Sequence, residues 1–148
     1  MDSNSKKTIL IVDDDKFLLS MYQTKFGKAG WTVETSLSAT EALQKLRDGL
    51  VPSAIIFDLI MPGVDGVEFL RTVKKEKLAP NAATIALTNQ GQAESIEQVK
   101  ALGVNGYVVK ATTIPSEVVN MVGRIVDERN KSPHRRPAEE AGKNNYGV

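Results

Sequence analysis

Five short runs of β-branched and aliphatic residues punctuate the chain: TILIV from Thr8, WTVET from Trp31, SAIIF from Ser53, ATIALT from Ala83 and GYVVK from Gly106. Between them apolar residues recur every three or four positions, the period of a helix with one face toward a core. Strands alternating with one-sided helices predict an α/β fold with a parallel sheet covered on both faces. The first helix, about residues 16–28, is expected to bury Leu18, Met21, Tyr22 and Phe26. In the second, Ala39, Ala42, Leu43 and Leu46 share a face, Ser38 with Glu41 forms an S-x-x-E capping box, and Gly49 ends the helix. The third, about residues 66–76, presents Phe69, Leu70 and Val73. A fourth, about residues 92–102, has only Ile96, Val99 and Leu102 as anchors among Glu94, Glu97, Gln98 and Lys100, and should be the least firmly held. The fifth starts near Pro115 and carries a wide apolar face of Val118, Val119, Met121, Val122, Ile125 and Val126.

The pattern fades after Asp127, where KSPHRRPAEEAGKNNYGV is polar with two prolines and two glycines. Such a stretch cannot bury enough apolar surface to order itself. The expected organisation is one domain over residues 7–127 and a polar, disordered tail or linker over 128–148. At 148 residues and 41% hydrophobic, the chain has room for one real core.

Charge sharpens this. Of 19 basic and 18 acidic side chains, five basic and two acidic ones follow residue 128, leaving a body with 14 against 16. A mildly acidic body argues against direct nucleic-acid binding, which leans on clustered Lys and Arg. The absence of cysteine excludes disulfides, thiolate metal sites and a cysteine nucleophile. No apolar run is long enough for a membrane span or signal segment, and a cytoplasmic location is expected.

In an open parallel sheet, ligands bind at the carboxyl ends of the strands. Those ends carry Asp13 to Asp15, Glu34 to Ser36, Asp58, Thr88 with Asn89, and Lys110. Asp58 closes an apolar run, and a buried aspartate must be paired or used. Carboxylates with one ammonium in a crevice suit a hard divalent cation, Mg²⁺ or Mn²⁺, with the lysine available to an anion. Beside such a cation Asp58 would be a competent nucleophile toward a phosphoryl group.

The acidic pair after the first strand, D-x-x-M-P-G-x-D-G from Asp58 to Gly66, the threonine ending the fourth strand and the lysine ending the fifth resemble a response-regulator receiver domain of two-component signalling. The resemblance covers about residues 7–127 and implies a flavodoxin-like fold with strand order 2-1-3-4-5. It implies Asp58 as phosphoacceptor, Asp13 and Asp14 with the Ile60 carbonyl as metal ligands, and Lys110 on the phosphoryl oxygens. Thr88 and Tyr107 would be the switch pair, acting on the face of helix 4, strand 5 and helix 5. The implied partners are a histidine kinase or histidine phosphotransfer protein and a downstream protein target, with a phosphorylation-dependent dimer as a further expectation. The domain would catalyse its own phosphorylation and slow dephosphorylation. His134, the only histidine, falls in the tail, so the donor acts in trans.

Taken singly, each residue has an ordinary role: Asp15 and Asp14 as helix caps, Thr88 as a strand residue, Lys110 as a solvated charge, Tyr107 as a core aromatic, MPGVDG as a turn. Their conjunction carries the reading. Three departures from the family pattern stand out: Ala111, Asn89 with Gln90, and Ile60. Ala111 follows the lysine where receivers have a cis proline, so a trans bond is expected. Asn89 and Ile60 beside the pocket are expected to slow attack by water, whereas Gln90 would orient it. The competing functions are a receiver-like binding module independent of phosphorylation and, last, a metal-dependent phosphohydrolase. The hydrolase is disfavoured because Ile60 stands where such enzymes place a second aspartate.

Overall fold

The computed structural model describes residues 7–89 and 91–131. Five strands, β1 (Thr8–Val12), β2 (Thr32–Ser36), β3 (Ala54–Asp58), β4 (Ala83–Thr88) and β5 (Gly106–Val109), alternate with helices. The helices are α1 (Lys16–Lys28), α2 (Ala39–Arg47), α3 (Gly66–Lys75), α4 (Ala93–Ala101) and α5 (Pro115–Lys131). All strand pairs are parallel, in the order β2-β1-β3-β4-β5. This is the flavodoxin-like arrangement.

The sheet's two faces are each sealed by a separate apolar cluster. Ile9, Ile11, Ala54, Ile56, Ala83, Ile85, Leu87 and Val108 face α1 and α5, while Leu10, Val12, Ile55, Phe57 and Ala86 face α2, α3 and α4. That period of two is what a strand imposes. The central strands β3 and β4 are buried at every position.

Local sequence explains most boundaries. Asp15 caps α1, accepting from the N–H groups of Phe17 and Leu18 at 3.0 and 3.2 Å. Ser38 accepts from Glu41 N–H at 3.1 Å; the return arm of the box reaches one residue further back, Glu41 accepting from Leu37 N–H at 2.8 Å. Gly49 adopts a φ of 113°, which ends α2 at little cost.

One expectation needs correction. The buried stripe of α1 is Leu19, Tyr22 and Phe26; Leu18 is half-buried and Met21 lies 37% exposed. The 19, 22, 26 spacing keeps one side of the helix on the sheet and leaves Leu18 and Met21 flanking it. The expected boundary at residue 127 falls within α5, which continues to Lys131. Its last turns are held by Asp127, which pairs with Lys7 at 2.7 Å, and by the half-buried Arg129. The remainder of the expected tail, with His134, lies outside the described residues.

Gly66, at the start of α3, packs directly on the strand end that carries Asp58. A Cβ there would overlap the Asp58 carbonyl oxygen and sit 2.7 Å from Leu59 Cα. Gly66→Ala should therefore lower stability by about 1–3 kcal/mol through overpacking. Gly123→Ala, in α5 with nothing within 4 Å, should raise it by about 0.5–1 kcal/mol. Equilibrium urea unfolding checks the opposite signs.

Candidate active site at the sheet edge

The period of two sorts the polar residues where the strands end. Continuing the phase of Ile9 and Ile11, of Ala54 and Ile56, and of Val108 puts Asp13, Asp58 and Lys110 on the α1 and α5 side. Thr88 continues the phase of Ala86 toward α4, the side on which Tyr107 packs. One parity holds the charges and the other holds the neutral pair.

The charged group is tight. Lys110 Nζ lies 3.0 Å from Asp13 Oδ2 and 3.2 Å from Asp58 Oδ2. Asp13 is fully buried and Asp58 is 4% exposed, while Asp14 faces solvent. One oxygen from each of Asp13, Asp14 and Asp58 can be chosen so that all lie within 4.8 Å of one another. Backbone donors help fix the carboxylates: Asp15 N–H to Asp13 Oδ1 at 2.9 Å, and Ile60 N–H to Asp58 Oδ1 at 3.4 Å.

Electrostatics show a charge deficit. Burial, and then the neighbouring Asp13 carboxylate, push Asp58 up to about 6, with Lys110 only partly offsetting them. Burial also raises Asp13, despite the Asp15 N–H and Lys110. For Lys110, burial works against the charge, but the two carboxylates outweigh it and hold the ammonium above its ordinary range. One ammonium serves two buried acids. Asp13 Oδ2 accepts no well-directed hydrogen bond and is met by the Lys110 ammonium at 3.0 Å. Three clustered carboxylates beside one ammonium fit a hard divalent cation such as Mg²⁺ or Mn²⁺.

The other candidates fall around this centre. Thr88 is fully buried and donates to Gln92 Oε1 at 2.7 Å, with the Asn89 carbonyl oxygen at 3.0 Å. Tyr107 is half-buried, and Lys100 Nζ sits 5.4 Å from its ring centroid. Asn89 is exposed and Ile60 is 50% exposed; Gln90 lies outside the described residues. No peptide bond among the described residues is cis, in line with the expectation at Lys110–Ala111, and β5 runs directly into a 3-10 turn at Lys110–Thr112. On β2 Glu34 turns away to pair with Lys45 at 3.5 Å, while the Ser36 carbonyl oxygen at the strand's end accepts from the Asp13 backbone N–H at 3.1 Å. Sequence reasoning placed Gln92 only as the start of a helix and missed its hold on Thr88. The available signal was a long amide four residues after a strand-end threonine.

The raised Asp58 predicts a sign for stability against pH. Asp58 binds its proton more tightly folded, at about 6, than at the ordinary 3.8, so ionising it removes stability as pH rises through this window. Without divalent cation, Asp58→Asn should be more stable than wild type at pH 7 by about 1–3 kcal/mol, and the gap should close below about pH 4. Urea unfolding across that range checks it, and a less stable variant at pH 7 would contradict the charge deficit.

Comparison with known proteins agrees with this geometry. A family profile described as the response regulator receiver domain matches residues 9–122. The response regulator SaeR of Staphylococcus aureus is 30% identical over 132 residues, which are 89% of this chain and 55% of SaeR. The chain thus spans about half the length of the curated relatives it matches. Among solved structures, the chemotaxis protein CheY4 of Vibrio cholerae superposes with a TM-score of 0.74 at 28% identity, covering 82% of this chain and 99% of CheY4. A CheY-like receiver domain protein of Methanospirillum hungatei gives 0.79 at 27% identity, covering 86% and 99%. Strand order, strand-end chemistry and the matched span converge on one conclusion: the chain belongs to the response-regulator receiver-domain family.

Proposed function

We propose that the chain is a phosphorylation switch of two-component signalling in the cytoplasm, in which Asp58 accepts a phosphoryl group from a phosphohistidine on a kinase or phosphotransfer protein. The observation that carries this reading is the buried pair Asp13 and Asp58 sharing the single ammonium of Lys110, with Asp14 within reach of both. Such a site is short of positive charge and built around a nucleophile.

Asp13, Asp14, Asp58 and the Ile60 backbone carbonyl would hold a Mg²⁺ or Mn²⁺ ion. When bound, that ion supplies the charge that lets neighbouring acids stay ionised and that shields incoming phosphoryl oxygens. An Asp58 carboxylate oxygen then attacks phosphorus, the bond from phosphorus to the donor imidazole nitrogen breaks, and the imidazole leaves with the electron pair. Lys110 gives up part of its pairing with Asp58 and meets a phosphoryl oxygen. Thr88 offers its hydroxyl to another, and Tyr107 follows on the same side of β5. The change is read on the face of α4, β5 and α5 by a downstream protein.

Exposed apolar side chains ring the same sheet edge: Phe17 at the start of α1 is 90% exposed, Ile114 before α5 is 58%, and Ile60 is 50%. They support docking of a protein donor. Asn89 and Ile60 stand beside the pocket and restrict hydrolytic water, so the phosphorylated form of Asn89→Ala should decay faster than wild type when loss of phosphate is followed over time.

Intact-mass spectrometry after incubation with acetyl phosphate tests the proposal. A single phosphoryl adduct is expected with Mg²⁺, and none in Asp58→Asn or without divalent cation. No adduct on folded, metal-bound protein would favour a binding module that works without phosphorylation.

A further inference from the structure

Thr88 has a single hydroxyl proton, and that proton is already engaged. Oγ1 donates to Gln92 Oε1 at 2.7 Å, the Asn89 carbonyl oxygen being a more distant alternative at 3.0 Å. The Asn89 backbone N–H also donates to Gln92 Oε1, at 3.1 Å. Two donors on one atom fix the amide with its oxygen toward the loop between β4 and α4. Thr88 is fully buried, so its hydroxyl must find a partner within the protein. Gln92 occupies the cap position of α4, yet its side chain makes no capping bond to that helix. It reaches back to the strand instead.

We propose that Gln92 is a positioning residue that holds the Thr88 hydroxyl on the α4 side, so that a phosphoryl group on Asp58 competes with Gln92 for the same proton. The inference rests on Asp58 as phosphoacceptor and adds the restraint that sets how readily the phosphorylated state forms. One proton cannot serve Gln92 and a phosphoryl oxygen together. Phosphorylation therefore severs the side-chain tie between the end of β4 and the first turn of α4. Since Val99 is the one fully buried side chain of that helix, with Ile96 and Leu102 only partly buried against the core, its apolar anchorage is light.

Beryllofluoride, a phosphoryl mimic, is titrated calorimetrically into the full chain at saturating Mg²⁺, using wild type, Gln92→Ala, Thr88→Ala and the double variant. Removing the restraint should tighten beryllofluoride binding about three- to tenfold, the equilibrium worth of one hydrogen bond. The gain should vanish in the Thr88→Ala background, and Mg²⁺ affinity should not change. Gln92→Glu keeps the acceptor and strengthens it with charge, so it should weaken binding more in the Thr88 background than in the Thr88→Ala background. A merely structural role would shift both backgrounds alike. Unchanged or weaker binding in Gln92→Ala, or equal effects in both backgrounds, would overturn the restraint while leaving Asp58 as acceptor. Failure of folded, Mg²⁺-bound wild type to take beryllofluoride would overturn both readings.

Discussion

Two buried carboxylates facing one ammonium set the terms for everything around them. Desolvation alone would drive Asp13 and Asp58 toward their neutral forms, and like charge adds to it. A fold optimised only for stability would replace such a group with apolar side chains. This chain instead places it at the ends of β1, β3 and β5, with three acids to one ammonium, which leaves the site short of positive charge. Asp14, the third acid, faces solvent at the open side of the cluster.

Strand parity then divides labour. Asp13, Asp58 and Lys110 project with the α1 and α5 phase, backed by the firmly packed cluster of Tyr22, Phe26, Val118 and Val122. Thr88 and Tyr107 project with the α4 phase. A register slip of one residue in any of these strands would exchange the two sets. The charged group is therefore anchored to the firmly packed side of the sheet and the neutral pair to the side of α4. Gly66 reinforces the division, because its missing side chain lets α3 close on the Asp58 backbone and clamp that strand end.

Much of this was legible in the sequence because short β-branched runs, an S-x-x-E box and polar strand ends are local signals. The five strands, the caps at Ser38 and Asp15, and the convergence of Asp13, Asp58 and Lys110 all follow from local pattern or from the edge rule for parallel sheets. What was not legible depends on phase and tertiary contact. Leu18 and Met21 have the right spacing for a buried face, and only docking against the sheet decides that Leu19 takes it. The final turns of α5 lack apolar periodicity and are held by Lys7 and by the partly buried Arg129, partners that helical spacing cannot see. Gln92 is the same case at the site: its role depends on which way a long amide turns.

Magnitudes support the proposal that α4, among the five helices, answers to phosphorylation of Asp58. A fully buried aliphatic side chain contributes about 1.5–3 kcal/mol. On that scale α5, with Val118, Val122, Ile125 and Val126 buried, is fixed several times more firmly than α4, which buries Val99 alone. A phosphoryl group offers charge-assisted hydrogen bonds of about 1.5–3 kcal/mol each. One or two such bonds match the anchorage of α4 and fall well short of that of α5. On the proposed reading the weak helix is the element whose position the Thr88 hydroxyl would decide, and its few apolar anchors, visible already in the spacing of Ile96, Val99 and Leu102, would make a local change of partner readable at the surface.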